Sequence, residues 1–404
     1  MARGGRQLAA AFVVPALLLA IAPADAQEPD TETRAGVIEQ AQAEKAQDLH
    51  PYVPTLAEKY LGQAETILTT GMRWHPYFVS AYSGGGFTMG AGYRAYVGSY
   101  DSIDVRGSFT PSGYKRIESE FLAPRLFDRQ GELSILGGWR EATEVGFYGT
   151  GTGNTEDDRA NYGFKQPYGQ ATLTLRPAHR IAFVRGSLET SQWAQTPGSG
   201  SYPSVESVYT PETLPGLGAT VNYVHPAFTV GLDSRAAADY ARRGGYLGVT
   251  FDDFSDPDRL HGFAQWSYEA IEHLPILREA WVLSLHGLVS TTGTKSGEEI
   301  PFFMLPSVGG GSSLRAYSSW RFRDRNSLEL QADWRIMVNR FVDTAVFFDA
   351  GKVTARTTDL NLRGLRTDGG FGVRFHGPVA TPLRIDFAYG GEGFSIVWAA
   401  SAAF

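Results

Sequence analysis

The sequence predicts an all-β fold, a transmembrane antiparallel β-barrel. Three observations carry that prediction: an export-type N-terminus with no helical membrane span behind it, strand-length segments whose apolar residues recur at every second position, and a composition weighted toward aromatics and glycine.

The composition sets the frame. Of 404 residues, 43% are hydrophobic and 20% charged, too apolar a balance for a disordered chain. The 47 glycines, 19 tyrosines and 24 phenylalanines favour sheet and turn, because aromatics suit pleated surfaces and glycine suits tight turns and bulges. A formal net charge of −7 and the lack of a basic run exclude a nucleic-acid binder. With no cysteine there is no disulfide framework and no thiolate metal site.

At the N-terminus, Arg3 and Arg6 precede an apolar stretch from Leu8 to Ile21, and Ala24-Asp25-Ala26 reads as a small-x-small cleavage site. Residues 1–26 are therefore read as an export signal. Beyond it there is no run of about 18 uninterrupted apolar residues, so any membrane crossing must be made by strands. Residues 27–73 form a separate short periplasmic piece. Thr31 to Leu49 is rich in Ala, Gln and Glu, Pro51 and Pro54 punctuate it, and Thr55 to Thr69 begins like a capped helix. It is read as a helical segment leading to the first strand of a barrel over residues 74–404.

The strands are read by their period of two. Counting back from the end, Phe394, Ile396, Trp398, Ala400, Ala402 and Phe404 are apolar, while Gly393, Ser395, Ser401 and Ala403 between them are small or polar. Leu383, Ile385, Phe387 and Tyr389 alternate with Arg384, Asp386, Ala388 and Gly390, and Phe371, Val373 and Phe375 with Gly372, Arg374 and His376. Leu328 to Ile336 and Trp281 to Leu285 repeat the pattern. A soluble β-sandwich has the same period, but segments near the length of a tilted membrane strand, the export signal and the terminal aromatic favour the barrel. At roughly 20 residues per strand with its turn, residues 74–404 make about 16 strands. Gly149 to Asn161, Gln195 to Pro215 and Thr291 to Ser307 break the alternation as loops, and long loops on one side with short turns on the other are expected.

One loop stands out. Residues 309–326, GGGSSLRAYSSWRFRDRN, put three glycines and an arginine-rich stretch just before the strand Ser327 to Met337. The next strand places Val342, Thr344, Val346 and Phe348 toward lipid and Asp343, Phe347 and Asp349 toward the lumen, while Asp333 falls on the polar face of its own strand. A bidentate arginine–carboxylate pair in a confined lumen is a directional clamp. The run Arg321 to Arg325 is read as a solvated loop base with local ion pairs, with a phosphate or lipid-headgroup site as the alternative.

These residues resemble the Omp85 superfamily, of the surface antigen D15 type. Leu314-Arg315-Ala316-Tyr317 is similar to the family's sixth-loop motif, and Phe347-Phe348-Asp349-Ala350-Gly351 to its later strand motif. The resemblance covers about residues 75–404. It implies that the sixth loop folds back into the lumen as a latch, formed by Leu314, Arg315, Ala316 and Tyr317, against wall partners Asp349, Phe347, Gly351 and Asp333. Two departures are visible. Ala316 stands where the family has glycine, which would strain a site needing positive φ, and residues 27–73 are too few for the family's POTRA domains, so a POTRA-less branch is implied.

The resemblance further implies an outer-membrane location and a weak seam between the first strand, expected over Phe78 to Ala95, and the last, Phe394 to Phe404. A client strand could add there by β-augmentation. Gly84, Gly85 and Gly86 would weaken that edge, with Phe404 ending the strand on the seam's other side; the same glycines equally serve a turn in a fully zipped wall. Implied partners are outer-membrane lipid and client outer-membrane or secreted proteins, with the protein itself monomeric. Two other functions compete: a passive channel, and an outer-membrane lipid hydrolase. No Gly-x-Ser-x-Gly elbow and no paired-histidine metal spacing occur, so catalytic residues, metal ligands and cofactors are all expected to be none.

Overall fold

The computed structural model describes residues 34–47, 55, 58–59, 73–177, 181–277 and 279–404. It divides into two units, Met1–Thr55 and Leu56–Phe404. In the first unit, α1 (Arg34–Gln47) is described. The expected signal peptide lies outside the described residues, as does most of the helix expected over Thr55 to Thr69. No described helix is long and apolar enough to cross a membrane, which says nothing of strands.

Among its described residues the second unit holds an antiparallel sheet of 16 strands, the number expected, in which each strand pairs with the strand before and after it in that sheet. Its first half contains β1 (Trp74–Pro76), β2 (Met89–Val97), β3 (Asp101–Phe109), β4 (Lys115–Leu126), β5 (Gly131–Phe147), β6 (Ala160–Leu175), β7 (Ala182–Pro197) and β8 (Thr220–Asp233). The second half runs β9 (Gly244–Phe254), β10 (Phe263–Leu277), β11 (Trp281–Thr294), β14 (Asn326–Asn339), β15 (Val342–Thr354), β16 (Arg366–Phe375), β17 (Leu383–Gly390) and β18 (Gly393–Ala399). Between β11 and β14, the small hairpin β12 (Ser307–Val308) and β13 (Phe322–Arg323) belongs to the inward loop. A short helix, α2 (Val205–Val208), sits in the connection from β7 to β8. Nearest-neighbour antiparallel pairing satisfies every interior backbone ladder, the condition lipid imposes on a sheet.

Alternation explains which face is which. Val346, Phe348, Phe371, Phe394, Ile396 and Trp398 are exposed, Trp398 at 70%, and they sit on the predicted lipid set. Their sequence neighbours point the other way: Asp333, Asp343, Phe347, Asp349 and Asp386 are buried. Because the side-chain period is 2, one register fixes all of them at once.

Connections also divide as expected. The loop between β11 and β14 lies at the end where β5–β6 and β7–β8 have their long connections, whereas β2–β3, β10–β11 and β14–β15 turn within a few residues at the other end. We call these the loop end and the turn end.

Two edge expectations are corrected. The first strand does not run from Phe78 to Ala95: β1 stops at Pro76, β2 starts at Met89, and residues between them form an irregular loop. The cause lies in the glycines. Gly84 (φ 93°) and Gly86 (φ 77°) adopt left-handed backbone, and a Cβ on Gly85 would stand 2.6 Å from the Tyr114 ring and from Ser80 Oγ. They make a turn rather than an edge. At the other side β18 ends at Ala399, not Phe404. Phe404 leaves the lipid set and stacks on His286 at 5.1 Å between ring centroids, with His273 at 6.4 Å; both histidines are buried.

Candidate functional site

The loop between β11 and β14 folds over the inner face of the sheet. Its first part buries Ile300, Phe302 and Phe303 in an aromatic cluster with Phe147, Tyr162, Phe164 and Trp193 from β5, β6 and β7. Its second part packs Leu314, Ala316, Tyr317 and Phe322 against Phe347, Val353 and Ala388 from β15 and β17. The loop thus rests on both halves of the sheet. Glycine makes the bend possible: Gly309 (φ 122°) and Gly310 (φ 99°) are left-handed, and a Cβ at Gly309 would meet Ser318 O at 2.6 Å.

Arg315 is the centre of the contact, and its side chain is wholly buried. Nε and Nη2 donate to the two oxygens of Asp349 at 2.8 and 2.9 Å, a bidentate pair. Nη2 also donates to Asp333 Oδ1 at 2.5 Å and Nη1 to Asp386 Oδ2 at 3.2 Å. The guanidinium lies 3.8 Å from the centroid of the Phe347 ring, a cation–π contact in a desolvated place. Burial acts to lower the Arg315 pKa, but the Asp333 and Asp349 carboxylates outweigh it and hold the group above the ordinary arginine value.

A second layer fixes these carboxylates. Arg374 donates from Nη2 to Asp333 Oδ2 at 2.6 Å, and its Nη1 lies 2.8 Å from Asp386 Oδ1. Arg384 lies 3.4 Å from Asp386 and donates to the loop carbonyl of Gly311 at 2.7 Å. Gln331 donates to Ser313 O at 3.0 Å. Three arginines therefore interleave with Asp333, Asp349 and Asp386 across β14 to β17, so no charge in the cluster stands alone.

The neighbouring loop residues, expected to form a latch with Arg315, are held as firmly. Ala316 N donates to Asp368 Oδ2 at 3.1 Å. Ala316 is absent from the residues with positive φ, so the alanine in place of the family glycine carries no left-handed strain. Its methyl is accommodated from across: a Cβ at Gly390 would meet Ala316 Cβ at 2.9 Å. Leu314 lies against Gly351, where an added Cβ would stand 3.6 Å from Leu314 Cγ. Tyr317 OH accepts from Gly391 N at 3.2 Å, and burial raises its pKa. All four expected latch residues and all four expected wall residues thus come together.

The basic run is corrected. Arg321 and Arg323 are buried rather than solvated. Arg321 donates to Glu392 Oε1 at 2.7 Å and to Asn154 O at 2.6 Å, joining the β17–β18 turn to the β5–β6 loop. Asp386, Arg374, Arg384 and Asp368 were not singled out from the sequence. The first three were legible as inward members of alternating strands, but nothing local distinguishes them from other polar inward positions.

The loop also touches the edge strand β18 and the connection that follows β1. Gly311 packs on β18, where an added Cβ would meet Val397 Cγ1 at 2.6 Å. On the other side Trp320 donates to Ser83 O at 2.9 Å and stacks on Tyr82 at 4.4 Å, and Gly84 faces Ser319 Cβ. Gly84, expected at the seam, lies in the loop that follows β1, against Ser319. Among the described residues no ladder joins β1 to β18.

A 16-stranded antiparallel sheet, apolar on one face and polar on the other, with an arginine-bearing loop packed on its polar face, is the architecture of an outer-membrane β-barrel. Residues 223–393 match the Omp85 superfamily domain. That match covers less than half of the chain, and over it the chain carries an Omp85 superfamily domain. No curated protein matches it. Among solved structures it is similar to BamA from Haemophilus ducreyi lacking POTRA domains 1–3, with a TM-score of 0.58 and 16% identity over 81% of this chain and 69% of that one. CdiB from Escherichia coli is similar with a TM-score of 0.53 and 12% identity over 78% of this chain, and the match spans 59% of CdiB. At these identities the likeness is one of fold.

Proposed function

We propose that this protein inserts or translocates client proteins, or moves lipid, at the bacterial outer membrane, with the Arg315 loop as latch and the β1–β18 seam as the working edge. The observation that carries the reading is the loop's contact with both edges: Gly311 on β18, and Trp320 and Ser319 on the segment after β1. A strand edge without a ladder partner is a template for an incoming strand. In lipid its unpaired groups are costly, which favours brief opening or exchange with a client. A loop that braces both edges from inside is placed to govern that opening.

In this reading the protein is not an enzyme and acts as a monomer, and residues 27–73 are a short periplasmic segment preceding the barrel. A passive channel and a lipid hydrolase remain the competing functions. In-cell photocrosslinking from positions in β1, residues 77–88 and β18, followed by mass spectrometry, tests the proposal. Captured outer-membrane or secreted proteins support it. Only intramolecular products between the two edges would move the channel ahead.

A further inference from the structure

The Arg315 loop leaves the opposite end of the lumen to other residues. At the turn end, residues 234–243 between β8 and β9 make a much longer connection than the β2–β3, β10–β11 and β14–β15 turns beside them. They are tied to the inner side of distant strands. Tyr240 OH donates to Asp343 Oδ2 at 2.8 Å, and its ring stacks on His376 with centroids 4.0 Å apart. Arg242 pairs with Asp343 at 3.2 Å and also donates to the carbonyl of Glu279. Arg335, a buried arginine of β14 for which no carboxylate partner is found among the described residues, donates to Ala241 O. The connection is therefore fastened to the β10–β11 turn and to β14, β15 and the end of β16.

The same connection also holds the chain beyond β18. Asp239 accepts from Thr381 N at 2.7 Å through one oxygen and from Ala402 N at 2.7 Å through the other. A small pocket remains between connection, tail and wall, lined among others by Tyr240, His273, Arg335 and Phe404. Tyr240 and Ala241 are buried, so this is packed structure rather than a loop lying in solvent.

We propose that residues 234–243 are a strap that closes the turn end of the lumen and pins the end of β18, so that the barrel is shut independently at its two ends. Two consequences follow from the bonds. Releasing the strap opens an ion path that the Arg315 loop alone does not set. It also frees Ala402, and with it the end of the strand that borders the seam, so seam opening is coupled to strap release through Asp239. The coupling rests on the proposed working seam; the closure does not.

The test is single-channel conductance of the full-length chain in planar bilayers. The double variant D239A/Y240F removes the Ala402 and Thr381 acceptor and the Asp343 donor while leaving the Arg315 cluster intact. Its open conductance or open time is expected to rise severalfold over wild type, with D343N, which keeps the side-chain shape, intermediate. K115A, at an exposed ion pair of the loop end, is the control and leaves conductance unchanged. Equal traces for wild type, D343N and D239A/Y240F would overturn the strap. D343N decides the matter if the double variant does not fold. The readout needs no client, so it is separable from the crosslinking result: higher conductance without client capture leaves the strap standing and removes the seam coupling.

Discussion

Arg315 shows how one side chain can hold a long loop. It makes four hydrogen bonds to three carboxylates on β14, β15 and β17, and the cationic plane covers Phe347. A buried pair is often no more stabilising than a well-packed apolar substitute, but removal of one partner leaves uncompensated charge, at a cost of about 3–5 kcal/mol. Arg315→Ala leaves Asp333, Asp349 and Asp386 facing two arginines in place of three. The variant is expected to form a barrel that melts at lower temperature on heat-modifiability gels and is inactive in client assembly. Arg315→Lys keeps the charge but loses the bidentate fork, and should fall between. Activity equal to wild type in the alanine variant would remove the latch. This residue was legible in sequence through a resemblance: Leu314-Arg315-Ala316-Tyr317 and Phe347-Phe348-Asp349-Ala350-Gly351 are similar to a paired family motif that implies an arginine–aspartate clamp. Asp386 was not, because its importance arises only when β17 is folded beside β15 and β16.

At the scale of elements, the loop and the wall fit by exchanging small residues. The Ala316 methyl occupies space that a side chain at Gly390 would contest, since a Cβ there would stand 2.9 Å from both Ala316 Cβ and Asp368 Cβ. Interiors packed to this density transmit even a single methyl. Gly390→Ala should therefore loosen the loop, read as faster protease cleavage between Ser307 and Arg325, at a cost of about 1–3 kcal/mol. Adding Ala316→Gly should restore much of the resistance. Equal protection in G390A and wild type would mean that the contact yields without cost. The element readings succeeded where alternation was uninterrupted, as in β14 to β18, because the period fixes both faces from sequence alone. They failed at the two edges. Around Gly84 to Gly86, positive φ overrode the apolar and aromatic residues on either side, and at the C-terminus the alternation continued through Phe404 although the hydrogen bond that Ala402 N donates to Asp239 and the stacking on His286 draw the last residues inward.

For the whole molecule, the asymmetry of the edges matters most. Among the described residues β1 pairs with β2 over three positions, Trp74 to Pro76, while β18 pairs with β17 over Gly393 to Ala399. Even a fully formed β1–β18 ladder would be short on one side, and antiparallel bonds add up pair by pair. In the proposed reading this place is the working seam, and the contacts beside it come from within: Gly311 against Val397 and Trp320 on Ser83 at the loop end, and Asp239 accepting from Ala402 at the turn end. Because the chain contains no cysteine, engineered cysteine pairs between Trp74–Pro76 and Gly393–Ala399 can lock this seam with no background disulfide. If lateral opening is the working step, the oxidised pairs should stop client insertion in reconstituted vesicles and dithiothreitol should restore it, with single-cysteine controls unaffected. Full activity in the locked form would exclude the lateral route and direct attention to the lumen, where release of the two internal fastenings would then have to open a continuous path.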